Sequence, residues 1–286
     1  LLGGQLIGPR LSGVLLGLDF PGLDTGVDTP AEASIATMVL VYIVAAVFNL
    51  YIPRTEAPLR PLVANPAELV RDFAQCNSRL WRDKLGQISL ATTTLFWGVS
   101  GNLRVIVFPW AAVALGYSTT QASNLAGVVV FGTAAGAVVA SMTMRLERAT
   151  NVIVLGMVMG LLLFGLNFIT NVYVGAPFLI ILGAVVGYMV VPMNALLQHR
   201  GHNLMGAGRS IAVQNFNEQA CILALGAFYT LSTGMGLSAF GAITAFGIVV
   251  AGVMWLIKRW HASNCIKYKA EVEHLLEVAR HDNMHG

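Results

Sequence analysis

Charged residues are scarce in this sequence. Asp, Glu, Lys and Arg together make up 11% of the 286 residues, whereas hydrophobic residues make up 56%. An ordinary soluble domain carries roughly 25% charged residues. A chain with so little charge does not cover a water-facing surface, so the composition excludes a typical soluble globular protein. The mean hydropathy of +0.70 agrees with this conclusion.

The sequence also lacks the patterns that carry most enzymatic chemistry. Its three cysteines, Cys76, Cys221 and Cys265, have neither the spacing of a disulfide framework nor that of metal ligands. We find no phosphate-binding glycine loop and no nucleophile–base pair. His199 and His202 lie in a basic segment without an acid, so we interpret them as surface groups. The sequence therefore predicts no enzyme, no cofactor and no nucleic-acid partner.

Long apolar runs, in contrast, are abundant. A membrane-spanning helix needs about 20 mostly apolar residues. A partial span is predicted at roughly residues 1–18. The complete candidate spans are 33–53, 87–114, 121–144, 150–170, 174–197, 209–232 and 236–258. The sequence therefore predicts an all-α membrane protein with about seven complete transmembrane helices plus one partial helix.

Basic and non-basic connections alternate between these spans. The connections 54–86, 145–149 and 198–209, and the segment after the last span, carry Lys or Arg. The connections near 18–33, 115–121, 170–174 and 232–238 carry none. Because cytoplasmic loops hold the excess of Lys and Arg, we predict a multi-pass protein of the bacterial inner membrane with a cytoplasmic C-terminus.

The pattern divides the chain into four parts. Residues 1–53 are the end of an N-terminal transmembrane half, 54–86 a central cytoplasmic linker, 87–258 a six-helix C-terminal half and 259–286 a cytoplasmic tail. The linker contains a charged amphipathic stretch that suits a helix on the membrane surface; the alternative is an ordinary cytoplasmic loop. The chain opens inside an apolar run without Met, so we expect it to be part of a longer protein that lacks most of its N-terminal half here.

Two charges lie deep inside predicted spans: Arg104 in the 87–114 span and Glu218 in the 209–232 span. A charge at the bilayer centre costs at least about 2.5–3.5 kcal/mol on insertion scales, so one that persists faces a cavity or a partner. The alternative for Arg104 is that its side chain reaches the outer headgroups. We favour a polar cavity for both charges.

Amide side chains accompany these charges in the sequence. Asn102 lies in the segment GVSGN, whose glycines can loosen the helix before Arg104, and Asn194 lies near the end of the 174–197 span. The predicted substrate-binding residues are Arg104, Glu218, Gln214, Asn215, Asn217, Asn194 and Asn102. The alternative for the amides is hydrogen bonding between helices, worth about 0.6 kcal/mol per bond.

Several motifs follow one another in a recognisable order: ATTTLFWGVSGNLRV, FPWAAVALGYS, VVPMNALLQHRGH and GAGRSIAVQNFNEQ. Together with NLYIPR after the 33–53 span and SRLWRDK in the linker, they resemble the bacterial lysophospholipid transporter (LplT) family of the major facilitator superfamily. The resemblance covers about residues 33–258. His199, His202, Asn203 and Arg209 depart from the family's pattern.

The resemblance implies a major-facilitator-type bundle of twelve helices in two halves, with this chain holding the end of the first half and all of the second. It also implies transport of lysophospholipids, of the lyso-phosphatidylethanolamine class, from the outer to the cytoplasmic leaflet by alternating access. There an acyltransferase/acyl-carrier-protein synthetase (Aas) re-acylates them. The implied partners are the lysophospholipid, membrane lipids and that enzyme.

Under this hypothesis Arg104 binds the phosphate of the substrate through its guanidinium. Glu218 meets the ethanolamine ammonium, or pairs with Arg104 when the site is empty. The acyl path is lined by Phe96, Trp97, Phe108 and Trp110. Two other hypotheses stay open: a major-facilitator transporter of another amphipathic solute or drug, and, less favoured, a membrane acyltransferase, for which the segment HRGHN offers no acid.

Overall fold

The computed structural model describes residues 30–51 and 65–282. Every regular element in these two ranges is helical, as the sequence predicts. The first range holds helix α1 (Pro30–Asn49), which is described by itself. The second range holds α2 (Pro66–Arg82), α3 (Gly86–Leu115), α4 (Thr119–Thr143), α5 (Ile153–Gly165), α6 (Val172–Met205), α7 (Ala207–Gly234), α8 (Ala239–Lys267) and α9 (Lys269–Asp282). The predicted partial helix at 1–18 lies outside the described residues.

Four helical segments are long and apolar enough to cross a membrane: Gln121–Thr143, Leu146–Phe168, Val172–Met205 and Ala239–Lys267. Helix α3 makes a fifth if its two bent parts form one span. The predicted count of seven complete spans is therefore not confirmed in the described residues. The polar row in the first half of α7 lowers its hydropathy, and the apolar part of α1, Met38–Asn49, is short.

The connection between α6 and α7 differs from the prediction. We predicted a basic loop over 198–209, but α6 continues to Met205 and α7 begins at Ala207. The single residue between them, Gly206, has a φ of 85°, a left-handed conformation that favours glycine. The polar segment after Gln198 contains no proline, so nothing in it stops the helix before Gly206.

Helices α4 and α6 pack backbone against backbone. A Cβ added at Gly132 or Gly136 of α4 would overlap the carbonyl oxygen of Ile180 or Ala184 on α6. A Cβ at Gly183 or Gly187 of α6 would likewise overlap main-chain atoms of α4. Small residues at this spacing let membrane helices approach closely. The four glycines therefore define the α4–α6 contact.

Glycines also allow close approach in two further helix pairs. A Cβ at Gly160 of α5 would lie 2.6 Å from the backbone nitrogen of Ala251 on α8. On α3, a Cβ at Gly98 would lie 2.6 Å from Cys221 Sγ, and one at Gly101 would lie 2.9 Å from the Ile222 side chain. The six long helices thus associate as the pairs α4–α6, α5–α8 and α3–α7.

Helix α3 is continuous through the segment GVSGN, so its glycines serve close packing against α7 and do not unwind the helix. The two parts of α3, Gly86–Leu103 and Val105–Leu115, are bent by 46°. Pro109 lies inside the second part. Proline lacks the N–H that would bond the carbonyl four residues earlier and its ring clashes with that carbonyl, which accounts for a bend at Val105.

The linker contains the helix expected from its amphipathic pattern, and the tail is helical as well. Helix α2 buries Cys76 and Leu80 against Leu197 of α6 and Val213 of α7, so one of its faces rests on protein. Helix α9 buries Val272 and Ala279. The proposed division of the chain at 53, 86 and 258 stays a prediction.

The α4–α6 contact yields a first test. We expect Gly136→Ala to lower the free energy of unfolding by about 1–3 kcal/mol, because the new methyl group overlaps the backbone of α6. The measurement is thermal unfolding in detergent. Gly252→Ala on α8 is the matched control: no atom lies within 4 Å of its added Cβ, so stability should be unchanged or slightly higher. Equal effects of both substitutions would contradict the packing assignment.

Candidate functional site

A polar cluster connects α6 and α7 inside the bundle. Gln214 and Glu218 lie one turn apart on α7 and are each only 7% exposed. Gln214 Nε2 donates one hydrogen bond to Glu218 Oε1 and another to Asn194 Oδ1 on α6, both at 2.7 Å. The two hydrogens of this amide are thereby used. Three of the predicted site residues, Asn194, Gln214 and Glu218, are therefore in contact.

The cluster keeps unused hydrogen-bonding capacity. Among the described side chains, Glu218 accepts only the bond from Gln214 and forms no ion pair. The amide nitrogen of Asn194 has no partner among the described residues. A buried carboxyl group is costly unless it is paired, protonated or hydrogen-bonded. Chemically, the cluster can accept a cationic or hydrogen-bond-donating group at Glu218 and donate to an acceptor at Asn194.

Asn217 lies next to Glu218 in the sequence but belongs to a different contact. Its Nδ2 donates to Asn77 Oδ1 at 2.8 Å and to Val213 O at 2.8 Å, and its Oδ1 accepts from Trp81 Nε1 at 3.2 Å. Asn77 and Trp81 are both on α2. The side chain of Asn217 therefore fastens the linker helix to α7.

Asn102 also bonds helix to helix. Its Nδ2 donates to Gly98 O at 2.8 Å within α3 and to Ile222 O at 2.9 Å on α7. Asn215 is exposed and has no hydrogen bond among the described residues. Arg104 lies in α3, but its side chain is outside the described part of the structure. The predicted set thus divides into the α6–α7 cluster, two packing amides, one exposed amide and Arg104.

The aromatic side chains predicted to line an acyl path have mixed surroundings. Trp110 is fully buried and donates through Nε1 to Leu166 O at 2.9 Å, and Phe96 is also buried. Trp97 is 38% exposed and packs edge-on against Phe96. Of these residues Trp110 serves the core, whereas Trp97 presents a ring to the surface of the bundle.

The sequence did not reveal a buried ion pair that lies between the cluster and the α6–α7 turn. Arg200 of α6 donates from Nε to Asp83 Oδ1 at 3.1 Å and from Nη2 to Asp83 Oδ2 at 2.6 Å. The two side chains are 7% and 8% exposed. Asp83 Oδ1 also accepts from the backbone N–H of Gly86 at 2.7 Å. Arg200 resembled one more cytoplasmic charge because its partner lies 117 positions away.

The same end of the bundle holds α2 in place. Asp72 of α2 forms an ion pair of 2.8 Å with Arg209 of α7, and both side chains are 40% exposed. The rings of Phe73 and Phe216 meet edge to face, with 5.2 Å between their centroids. Helix α2 therefore rests on the first three turns of α7, next to the face that carries Gln214 and Glu218.

These features define the class: a multi-pass α-helical membrane protein with a buried polar cluster between two of its helices. Over about 80% of its length the chain is homologous to curated bacterial proteins named Lysophospholipid transporter LplT. It is 34% identical to that of Serratia proteamaculans (strain 568) over 231 residues, which are 79% of this chain and 58% of the relative.

Two other relatives with the same name give similar values. The identity to the transporter of Shigella boydii serotype 4 (strain Sb227) is 32% over 235 residues, or 80% of this chain and 58% of the relative. The transporter of Escherichia coli (strain K12 / DH10B) gives the same identity and coverage. The chain thus spans about 58% of the length of these relatives. The matches confirm the resemblance predicted from the motifs, and these relatives are named as transporters, not as enzymes.

No family model and no solved structure matches the chain. The assignment therefore depends on the curated relatives and on the chain's own helices.

The buried ion pair provides a second test. We expect Arg200→Met to destabilise the protein by about 3–5 kcal/mol, because it leaves the Asp83 carboxylate buried without a counter-charge. Arg209→Met is the matched control: it breaks a half-exposed pair and should cost about 1 kcal/mol or less. Adding Asp83→Asn to Arg200→Met should recover part of the loss in thermal unfolding. The assignment is wrong if the two single variants lose equal stability.

Proposed function

We propose that the complete protein moves lysophospholipids of the lyso-phosphatidylethanolamine class from the outer to the cytoplasmic leaflet of the inner membrane by alternating access. The lipids would there meet an acyltransferase/acyl-carrier-protein synthetase for re-acylation. The observation that carries the proposal is the buried Glu218 carboxyl group, which has one amide donor and unused acceptor capacity. It lies in a chain whose relatives are named lysophospholipid transporters.

The chemistry of the substrate fits this cluster. A lyso-phosphatidylethanolamine carries an ammonium group, a phosphodiester and one acyl chain. The ammonium can donate hydrogen bonds to the carboxyl oxygens of Glu218. These bonds replace part of the hydration that the ammonium loses inside the bundle. Asn194, which is linked to Glu218 through Gln214, offers its amide nitrogen as a neutral donor. The cluster therefore suits the cationic end of a zwitterionic headgroup.

Arg104 is proposed as the phosphate-binding group. A guanidinium binds phosphate oxygens through two parallel hydrogen bonds, which an ammonium cannot do in the same geometry. Arg104 lies on α3, the helix that packs against α7 through Gly98, Gly101 and Asn102. The two proposed contacts thus lie on neighbouring helices.

Replacing Glu218 tests the ammonium contact. Glu218→Gln keeps an oxygen that accepts from Gln214 but removes the charge, so we expect uptake of lyso-phosphatidylethanolamine to fall about tenfold or more, as for a lost charged hydrogen bond. Uptake of lyso-phosphatidylglycerol, which has no ammonium, should change less. The measurement is uptake of both labelled lipids by cells that express the complete protein. Gln219→Ala, one residue further and exposed, is the control and should transport both lipids normally.

Replacing Arg104 tests the phosphate contact. We expect Arg104→Ala and Arg104→Lys to reduce the uptake of both lipids, because both carry the phosphodiester and lysine lacks the planar fork. Wild-type transport by both variants would remove Arg104 from the proposed site.

A competition assay separates the proposal from transport of another amphipathic solute. Unlabelled lysophospholipids should inhibit uptake, whereas amphipaths of equal chain length without a phosphate should not. Equal inhibition by both groups would favour a transporter of general amphipaths.

A further inference from the structure

The C-terminal parts of α2 and α8 contact each other at a place that does not include Asn194, Gln214 or Glu218, the residues of the α6–α7 cluster. The indole rings of Trp81 and Trp260 stack with 6.3 Å between their centroids and an angle of 7° between their planes. Lys84 Nζ lies 3.9 Å from the centroid of the Tyr268 ring. These two contacts bring the segments 79–84 and 255–268 together, and we call their shared surface the α2–α8 corner.

The α2–α8 corner is strongly basic. Its cations are Arg79, Arg82, Lys84, Lys258, Arg259 and Lys267, and its single acid is Asp83. The charge of Asp83 is matched by Arg200 in the buried ion pair. Arg79, Arg82, Lys258 and Arg259 are exposed, and none of them forms an ion pair within the described part of the chain. The positive charge of the corner is therefore not neutralised by any residue in the described part of the chain.

Exposed indole side chains flank this charge at the end of the apolar run of α8. The apolar run of α8 ends at Ile257, directly before Lys258 and Arg259. Trp255 and Trp260 are 47% and 37% exposed on either side of that boundary. The guanidinium of Arg259 lies 5.1 Å from the centroid of the Trp255 ring. Indoles are enriched where membrane helices leave the hydrocarbon for the headgroup region.

We propose that the α2–α8 corner binds the phosphate-bearing headgroup of an anionic phospholipid of the surrounding membrane. Basic pockets between membrane helices recognise such headgroups, and each nearby Lys or Arg adds to the attraction. The exposed indoles and the apolar side of α8 supply a surface for the acyl chains, which a soluble phosphate ester lacks. The site is separate from the Glu218 cluster and does not depend on transport.

The test compares lipid retention by the 286-residue chain purified in detergent. Native mass spectrometry should show more bound phosphatidylglycerol than phosphatidylcholine of identical acyl chains. The variant Arg82→Gln/Lys258→Gln/Arg259→Gln should lose about tenfold or more in affinity for phosphatidylglycerol. The matched control, Arg71→Gln/Arg145→Gln/Arg148→Gln, removes three exposed cations elsewhere and should bind as the wild type does.

Equal retention of the two lipids by the wild type, or an equal loss of affinity for phosphatidylglycerol in the two triple variants, would overturn the proposal. So would displacement of the lipid by soluble glycerol 3-phosphate at concentrations similar to those of phosphatidylglycerol. The variant Arg82→Lys/Arg259→Lys keeps the charge and should keep the preference for phosphatidylglycerol. Retained binding by this charge-keeping variant shows that a loss in the Gln variant comes from the missing charge. In size-exclusion chromatography both triple variants must elute as the wild type does, which excludes misfolding as the cause of lost binding.

Discussion

Close contact between helices at glycine residues is the constraint on which the rest of this bundle depends. Lipid tails are as apolar as leucine, so helices in a membrane gain little from burying apolar surface against one another. Close packing must supply the association, and the pairs α4–α6, α5–α8 and α3–α7 each obtain it where a side chain is missing. At α4–α6 and α5–α8 backbone atoms of the partner helix meet the glycines, and at α3–α7 the side chains of Cys221 and Ile222 do, so a shift of either helix would create overlap. The positions of the polar side chains follow from these contacts.

Several polar side chains in the interior join one helix to another. Asn102 donates to a carbonyl across the α3–α7 pair, Trp110 to the end of α5, and Asn217 to the linker helix α2. Each such bond satisfies a group that would otherwise be costly in an apolar surrounding. Glu218 differs from them, because Gln214 satisfies one of its oxygens and no described side chain satisfies the rest. This difference, and not polarity alone, separates a candidate binding group from a packing group.

The sequence predicted the helical class and the position of most long helices, because hydropathy and helical spacing are local properties. It did not predict which amides bond to neighbouring helices, since that depends on partners such as Ile222 or Asn77 that lie more than a hundred positions away. The same limit hid the Asp83–Arg200 pair. It also concealed the role of the glycines in GVSGN, which resembled a helix break because their contact surface belongs to α7.

The wrongly predicted loop between α6 and α7 also affected the prediction of the site. With a single residue, Gly206, between the helices, the last turn of α6 lies beside the first turn of α7, and pairs of residues from the two helices follow in order from there. A Cβ at Gly201 would overlap Ser210, Leu197 packs with Val213, and Asn194 meets Gln214. A loop over 198–209 would leave that register undetermined. Because Arg200 lies within the same few turns, the buried ion pair and the polar cluster both depend on the pairing of α6 and α7 that the turn at Gly206 sets.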